Sequence, residues 1–378
     1  MKHIKDGATD SSVKIKEEMY DQFVDKTTGQ SSPIWKITWV NSSKVCVEVI
    51  TYGATITSIK IPDKNGVVED VVMGFKDLKG YQNPLNPYFG ATVGRVANRI
   101  GQARFTINGT TYGVSPNLPP HQLHGGFRGF DKVNWQHYIE GKTVVMSYLS
   151  KDKEEGFPGD VITNVSFRLT DSNEFLVEFK SYTTKPTFVN LTNHSYFNLA
   201  GHNKGAVELY KHVVSINADQ TTAVDIDSIP TGKLLQVGGT VFDLRIPKQL
   251  GSVIHKVPDI GGFDHNFCIT KGEYQGDCFI ARVHHPGSGR VLEVYSNQPG
   301  VQFYTSNSIP DDPKHYKGNV KDLKTIIGKD GPYYKHGALC LETQNYPDAI
   351  NHPGFPKAVL NPGETYHHTL TYKFSIDK

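Results

Sequence analysis

The chain has 378 residues, 37% of them hydrophobic and 11% aromatic, which is enough apolar material for a sizeable core and too much for a disordered polymer. Its 40 basic and 38 acidic residues leave a net charge of +2, and no long run of either sign interrupts the chain. That balance gives no electrostatic footprint for nucleic acid or for an anionic membrane surface.

The opening stretch, MKHIKDGATDSSVKIKEE, is polar and lacks the apolar segment of a secretory signal. Residues 1–24 read as a peripheral arm, with Ser12 to Phe23 spaced as a short helix. From residue 25 to 378 the dominant pattern is period-2 alternation, the mark of strands with one buried face. It runs through Val45 to Val49, Val161 to Leu169, Glu174 to Ser181, Lys211 to Ile216, Phe279 to His284, Val291 to Ser296 and Tyr366 to Ile376. Glycine and proline clusters such as Pro116 to Pro120 and Pro286 to Gly289 punctuate these runs as turns. Asn319 to Ile327 is the other candidate helix. The pattern predicts an all-β protein, a large antiparallel β-sandwich of two sheets packed face to face, forming one domain over 25–378.

Cys46, Cys268, Cys278 and Cys340 are far apart and form no CxxC pair, so they read as reduced thiols of a cytoplasmic protein. No window reaches the roughly 20 apolar residues that span a bilayer. Neither HExxH nor a glycine-rich phosphate loop occurs. The pairs His284-His285 and His367-His368 lie in strands, where neighbours point to opposite faces and cannot grip one ion together. No metal, nucleotide or other cofactor is expected.

Six segments break the strand-and-turn background by concentrating polar and ring-bearing residues. They are Gly94 to Ile100, His121 to Phe130, Asn190 to Leu199, Gly261 to Phe267, Gly300 to Thr305 and Ala338 to Gln344. Arginine at 99 offers a rigid fork of donors to a carboxylate or to hydroxyls, although most arginines are simply solvated. Two glycines after His124 let the backbone turn sharply or approach a ligand. The last segment says most. Glu342 shares strand parity with Ala338 and Cys340, while Leu339 and Leu341 fill the other face. It is therefore a carboxylate at the inner end of a buried strand, which is costly without a purpose. The bland alternative places Glu342 just past the strand, in water.

Together the segments ANRI, HQLHGGFRGFDKVNW, NLTNHSYFNL, GGFDHNF, GVQFYTSN, LCLETQNYPDAINHPGFP and LNPGETYHHTLTYKF resemble the aldose 1-epimerase family, in its order, from about Ile34 to the C-terminus. The resemblance implies a galactose mutarotase-like sandwich that interconverts the α and β anomers of free hexoses such as galactose and glucose. It implies Glu342 as general base, His194 as general acid, and His124 as the second histidine, hydrogen-bonded to the sugar. It implies Arg99, Asp264 and Gln302 as holders of the hydroxyls, with Asn98 as a plausible addition. His121 departs from the family's Asn, and Ser306 from its more usual Gly. Three alternatives stand beside this reading. A hexose-6-phosphate 1-epimerase needs a further basic cluster, for which Arg99 and Arg95 are the candidates. A glycoside hydrolase needs two carboxylates across the scissile bond. A non-catalytic carbohydrate-binding sandwich needs no acid and base together.

Overall fold

Alternation in sequence becomes alternation in exposure. Along Val161–Leu169 the residues Val161, Thr163, Val165, Phe167 and Leu169 are buried, and those between them lie toward solvent. The C-terminal strand Tyr366–Ile376 buries His368, Leu370, Tyr372 and Phe374 in the same way. The computed structural model describes residues 12–377 apart from 26, 27, 259, 260, 315 and 317; residues 1–11 of the predicted arm lie outside it.

The strands form three principal sheets, each antiparallel at every described pairing. A nine-stranded sheet runs in the order Gln136–Glu140, Thr143–Ser150, Val161–Leu169, Glu174–Thr183, Tyr366–Ile376, Arg290–Ser296, Cys278–His285, Val213–Ile216 and Lys248–Gln249. One five-stranded sheet is built in chain order from Lys14–Val24 to Val68–Asp70. The other is ordered Pro230–Gln236, Ala218–Val224, Asp264–Ile269, Gly300–Tyr304 and Cys340–Gln344.

One continuous core takes side chains from all three, among them Ile37 and Val49, Phe167 and Tyr372, and Phe303 and Leu341. This is a large β-sandwich, its strands divided among three principal sheets where two are predicted. Trp39 packs edge-on to Phe175, joining the first sheet to the nine-stranded one. Thr343 and His368, linked at 2.8 Å, tie the last strand of the third sheet to the nine-stranded sheet.

Both helix predictions fail for physical reasons. Lys14–Val24 is the outer strand of the first sheet, paired with Ser31–Val40. A bulge between Met19 and Asp21 inserts Tyr20 into the ladder and interrupts the alternation, and Glu18, on the opposite face from Ile15, is half-buried through its ion pair with Lys36. Asn319 to Ile327 holds only a 3-10 turn, Val320–Asp322, and a short strand, Ile326–Ile327. Among the described residues no helix is long and apolar enough to cross a membrane.

Candidate active site

The third sheet supplies one wall of the site. In its ladder Gln302 stands opposite both Asn266 and Glu342, and Tyr304 stands opposite both Asp264 and Cys340. Side chains two apart share a face, so Asp264, Asn266, Gln302, Tyr304, Glu342 and Gln344 all lie on one side. Phe267, Val301, Phe303 and Leu341 turn the other way into the core. Strand parity therefore builds a polar floor on an apolar underside. Glu342 is 2% exposed, which excludes a carboxylate in water.

The opposite wall comes from three loop-like segments. Arg99–Ile100 pairs with Gln122–Leu123, and this short ladder sets Asn98 beside His124. The Asn98 N–H donates to His124 Nδ1 at 3.1 Å, and the His124 N–H donates back to the Asn98 carbonyl at 2.9 Å. Both residues have positive φ, 61° and 50°, strain of a kind that functional sites accumulate. His194 follows the pair Thr192–Asn193 with Thr92–Val93, and its main chain is held by the Ala91 carbonyl at 2.9 Å and the Gly90 N–H at 3.0 Å.

These walls line a cleft open to solvent. Asn98, Arg99, His124, His194, Asp264, Gln302 and Glu342 all line it. His194 Nε2 lies 3.5 Å from Glu342 Oε2. Gln302 Nε2 donates to Asp264 Oδ1 at 2.7 Å, and Arg99 Nη2 is 3.9 Å from Asp264 Oδ2. Arg99 Nε, His194 Nδ1 and Glu342 Oε2 are buried without a hydrogen-bond partner. Buried polar atoms are rarely left so, and here three converge on one cavity.

Burial pushes the Glu342 carboxyl well above its ordinary range; Asp264 adds to this and Arg99 opposes it. Burial lowers His194 to about 3 and carries His124 well below its ordinary value, with the neighbouring His194 and Arg99 acting the same way on His124. Burial therefore favours a neutral carboxyl beside a neutral imidazole, one transferable proton on the pair.

His124, His194 and Glu342 bring ligand atoms within 4.8 Å of one another, close enough to suggest a metal centre. The geometry of His124 argues against it. A metal-bound imidazole donates its other N–H outward, whereas the Nδ1 of His124 accepts from Asn98. Its Nε2 accordingly carries the proton and faces the cleft as a donor.

Arg95 does not reach the cleft. Its guanidinium is buried and donates to Ser150 and to the carbonyls of Pro158, Gly159 and Lys151. His121 also stays out of the lining, accepting from the Gln102 N–H at 3.0 Å. Ser306, at φ 57°, holds the left-handed turn expected of Gly and donates to the Ala338 carbonyl at 2.7 Å. Three rings of the lining, Tyr88, Tyr196 and Tyr304, were not among the predicted site residues. Tyr196 and Tyr304 sit inside the motif segments, where an aromatic residue reads as core by its type.

The site thus sets a buried carboxyl and a buried imidazole 3.5 Å apart beside amide, carboxylate and guanidinium groups, in an antiparallel sandwich. The family model described as Aldose 1-epimerase matches residues 36–373, and the chain belongs to that family. It is 47% identical to rat galactose mutarotase over 338 residues, covering 89% of this chain and 93% of the relative. It is 46% identical to the human galactose mutarotase over the same shares, and 35% identical to the Escherichia coli aldose 1-epimerase over 90% of this chain and 95% of that one. Among solved structures it resembles a GalM/aldose epimerase homologue from C. elegans, with 29% identity, a TM-score of 0.79, and coverage of 89% of this chain and 97% of that one.

Proposed function

We propose that Glu342 and His194 are the base and acid with which this chain opens and recloses the pyranose ring of free hexoses, galactose and glucose among them. The chain is an isomerase of the mutarotase type, interconverting aldose anomers, as its family and its relatives at 35–47% identity support. The observation that carries the residue assignment is the His194–Glu342 separation of 3.5 Å between two buried groups. O1 and O5 of a pyranose hang on the same carbon, so the group that takes a proton from one and the group that gives a proton to the other must lie close together.

In the productive form the pair's single proton sits on His194. The Glu342 carboxylate takes the proton of the C1 hydroxyl, the C1–O5 bond breaks, and O5 receives the proton of the His194 imidazolium. An aldehyde now faces a neutral Glu342 and a neutral His194. Burial favours this neutral pair, and so stabilises the site in the state that faces the open-chain sugar. It also makes the ionised Glu342 a stronger base than a solvated carboxylate. Rotation about C1–C2 presents the other carbonyl face. O5 then adds to C1 while His194 takes its proton and Glu342 returns one to O1. Each transfer contributes roughly 10²–10⁴ in rate. The Nε2–H of His124, Arg99, Asp264, Gln302 and Asn98 hold the oxygens that do not react.

A hexose 6-phosphate is the weaker reading, because Arg95 is engaged elsewhere and Arg99 is the one guanidinium lining the cleft among the described residues. The four free thiols, with Cys268 and Cys340 buried, fit the reducing cytosol as the proposed compartment. Polarimetry on freshly dissolved α-glucose and α-galactose tests the function. Accelerated mutarotation that survives exhaustive treatment with EDTA is expected. Binding without acceleration would leave a carbohydrate-binding sandwich, and faster turnover of glucose 6-phosphate than of glucose would transfer the assignment to a phosphosugar epimerase.

A further inference from the structure

The imidazole assigned as acid lacks what usually orients such a group. A catalytic or metal-binding histidine is held by a carboxylate or carbonyl of another residue on its second nitrogen, but His194 Nδ1 meets no well-formed partner beyond its own main chain. What surrounds the ring instead is aromatic. Tyr196 lies nearly parallel to it, with centroids 4.9 Å apart and planes at 9°. Tyr88 is also near-parallel, at 6.0 Å and 14°. His124 and Tyr304 meet it edge to face, at 5.2 and 6.5 Å.

We infer that Tyr196 and Tyr88 are positioning residues that hold the plane of His194 and stabilise its protonated form through their ring faces. The inference rests on the reading of His194 as the acid. The negative face of an aromatic ring attracts a cation, most strongly where water is excluded, and His194 is 4% exposed. An imidazolium formed here meets one carboxylate, Glu342, and two tyrosine faces. The other charged or titratable groups around the site are His124, Arg99, Asp264, Tyr304 and Cys340, together with Lys132, whose Nζ sits 4.8 Å from the Tyr88 ring centroid. Tyr196 is itself anchored, donating from its hydroxyl to the Pro87 carbonyl at 2.9 Å. Pro87 precedes Tyr88, so this one hydrogen bond couples the two rings. Burial pushes both hydroxyls upward in pKa, which disfavours either as a tyrosinate base.

The test separates ring shape from ring charge. Tyr196→Phe, which gives up the Pro87 hydrogen bond, and Tyr88→Phe both keep the faces and should cost less kcat than Tyr88→Leu. Tyr88→Leu, at the less buried of the two rings, should lower kcat by about 3- to 30-fold, the range of a desolvated cation–π contact, with KM moved less than twofold. Phenylalanines bearing one, two and three fluorines at position 196 keep the shape while draining the face of negative charge. Log kcat should fall stepwise along that series, with melting temperature unchanged. A flat fluorine series, or a Tyr88→Leu variant altered in KM alone, would overturn the inference. His194→Ala reports on the underlying reading separately: should it retain full kcat, the acid lies elsewhere whatever the rings do.

Discussion

Replacing Glu342 by Gln keeps the length of the side chain and removes the ionisable oxygen that faces His194 at 3.5 Å. The next carboxylate in the cleft, Asp264, is already engaged by Gln302 at 2.7 Å and approached by Arg99, so it does not stand in as base. The whole general-base contribution should vanish, about 10²–10⁴ in kcat, or ~2.7–5.4 kcal/mol of barrier. Arg99, Asp264 and Gln302 remain, so sugar affinity should stay within about threefold, ~0.65 kcal/mol. A stability change accompanies the loss. Because Glu342 has a raised pKa in the folded chain, the fold keeps a proton that the unfolded chain has lost. The contribution of Glu342 to stability is therefore full below about pH 4.5, the unfolded value, and falls as pH rises through the folded one. The Gln variant lacks this decline and should be the more pH-resistant protein. Polarimetry gives kcat after subtraction of spontaneous mutarotation, and calorimetry gives binding. Pairing the change with His194→Ala should cost little beyond either single change, since the two act as a unit. A Glu342→Gln enzyme within threefold of wild-type kcat would refute the reasoning and make Asp264 the next candidate.

Two further predictions concern the frame around the pair. His194, His212 and His368 are each lowered to about 3 by burial, so the unfolded chain binds protons that the fold refuses. Stability is complete above the unfolded value near pH 6.5 and is lost as pH falls toward 3, by ~1.36 kcal/mol per pH unit for each histidine. Urea titrations between pH 6.5 and 4.5 should show a slope that His212→Gln reduces by about that amount; an identical slope in the variant would contradict it. At Gly125, φ is +87° and an added Cβ would stand 2.0 Å from the Gly94 carbonyl oxygen, so Gly125→Ala should displace the loop carrying His124. A destabilisation of about 1–3 kcal/mol and a kcat lowered at least tenfold are expected. Thermal melts with polarimetry decide it, and wild-type values in both would remove the crowding argument.

The strands were readable because their inward residues are uninterrupted: from Val161 to Leu169 every second residue is buried. Lys14–Val24 was not, because the bulge at Tyr20 breaks the alternation and the partner strand is what makes the segment extended. Glu342 could be placed on a buried strand from parity alone, and Leu341 does face the core while Glu342 lines the cleft. The gathering of His124, His194 and Arg99 around it was accessible only through family likeness. Their proximity comes from short ladders between remote segments, and no local period encodes such a pairing. The stacking of Tyr196 on His194 was hidden for another reason: an aromatic at a strand end reads as core whether it packs on leucine or on imidazole.

Asn266, Gln302 and Glu342 occupy a single rung across three neighbouring strands, and this makes the site brittle toward insertions. One extra residue early in Gly300–Tyr304 would turn Gln302 into the core and bring Phe303 up to the sugar, because a slip of one residue exchanges the two faces of a strand. Such a change has no half-active form. A designer therefore has more freedom in side-chain identity along the rung than in its count.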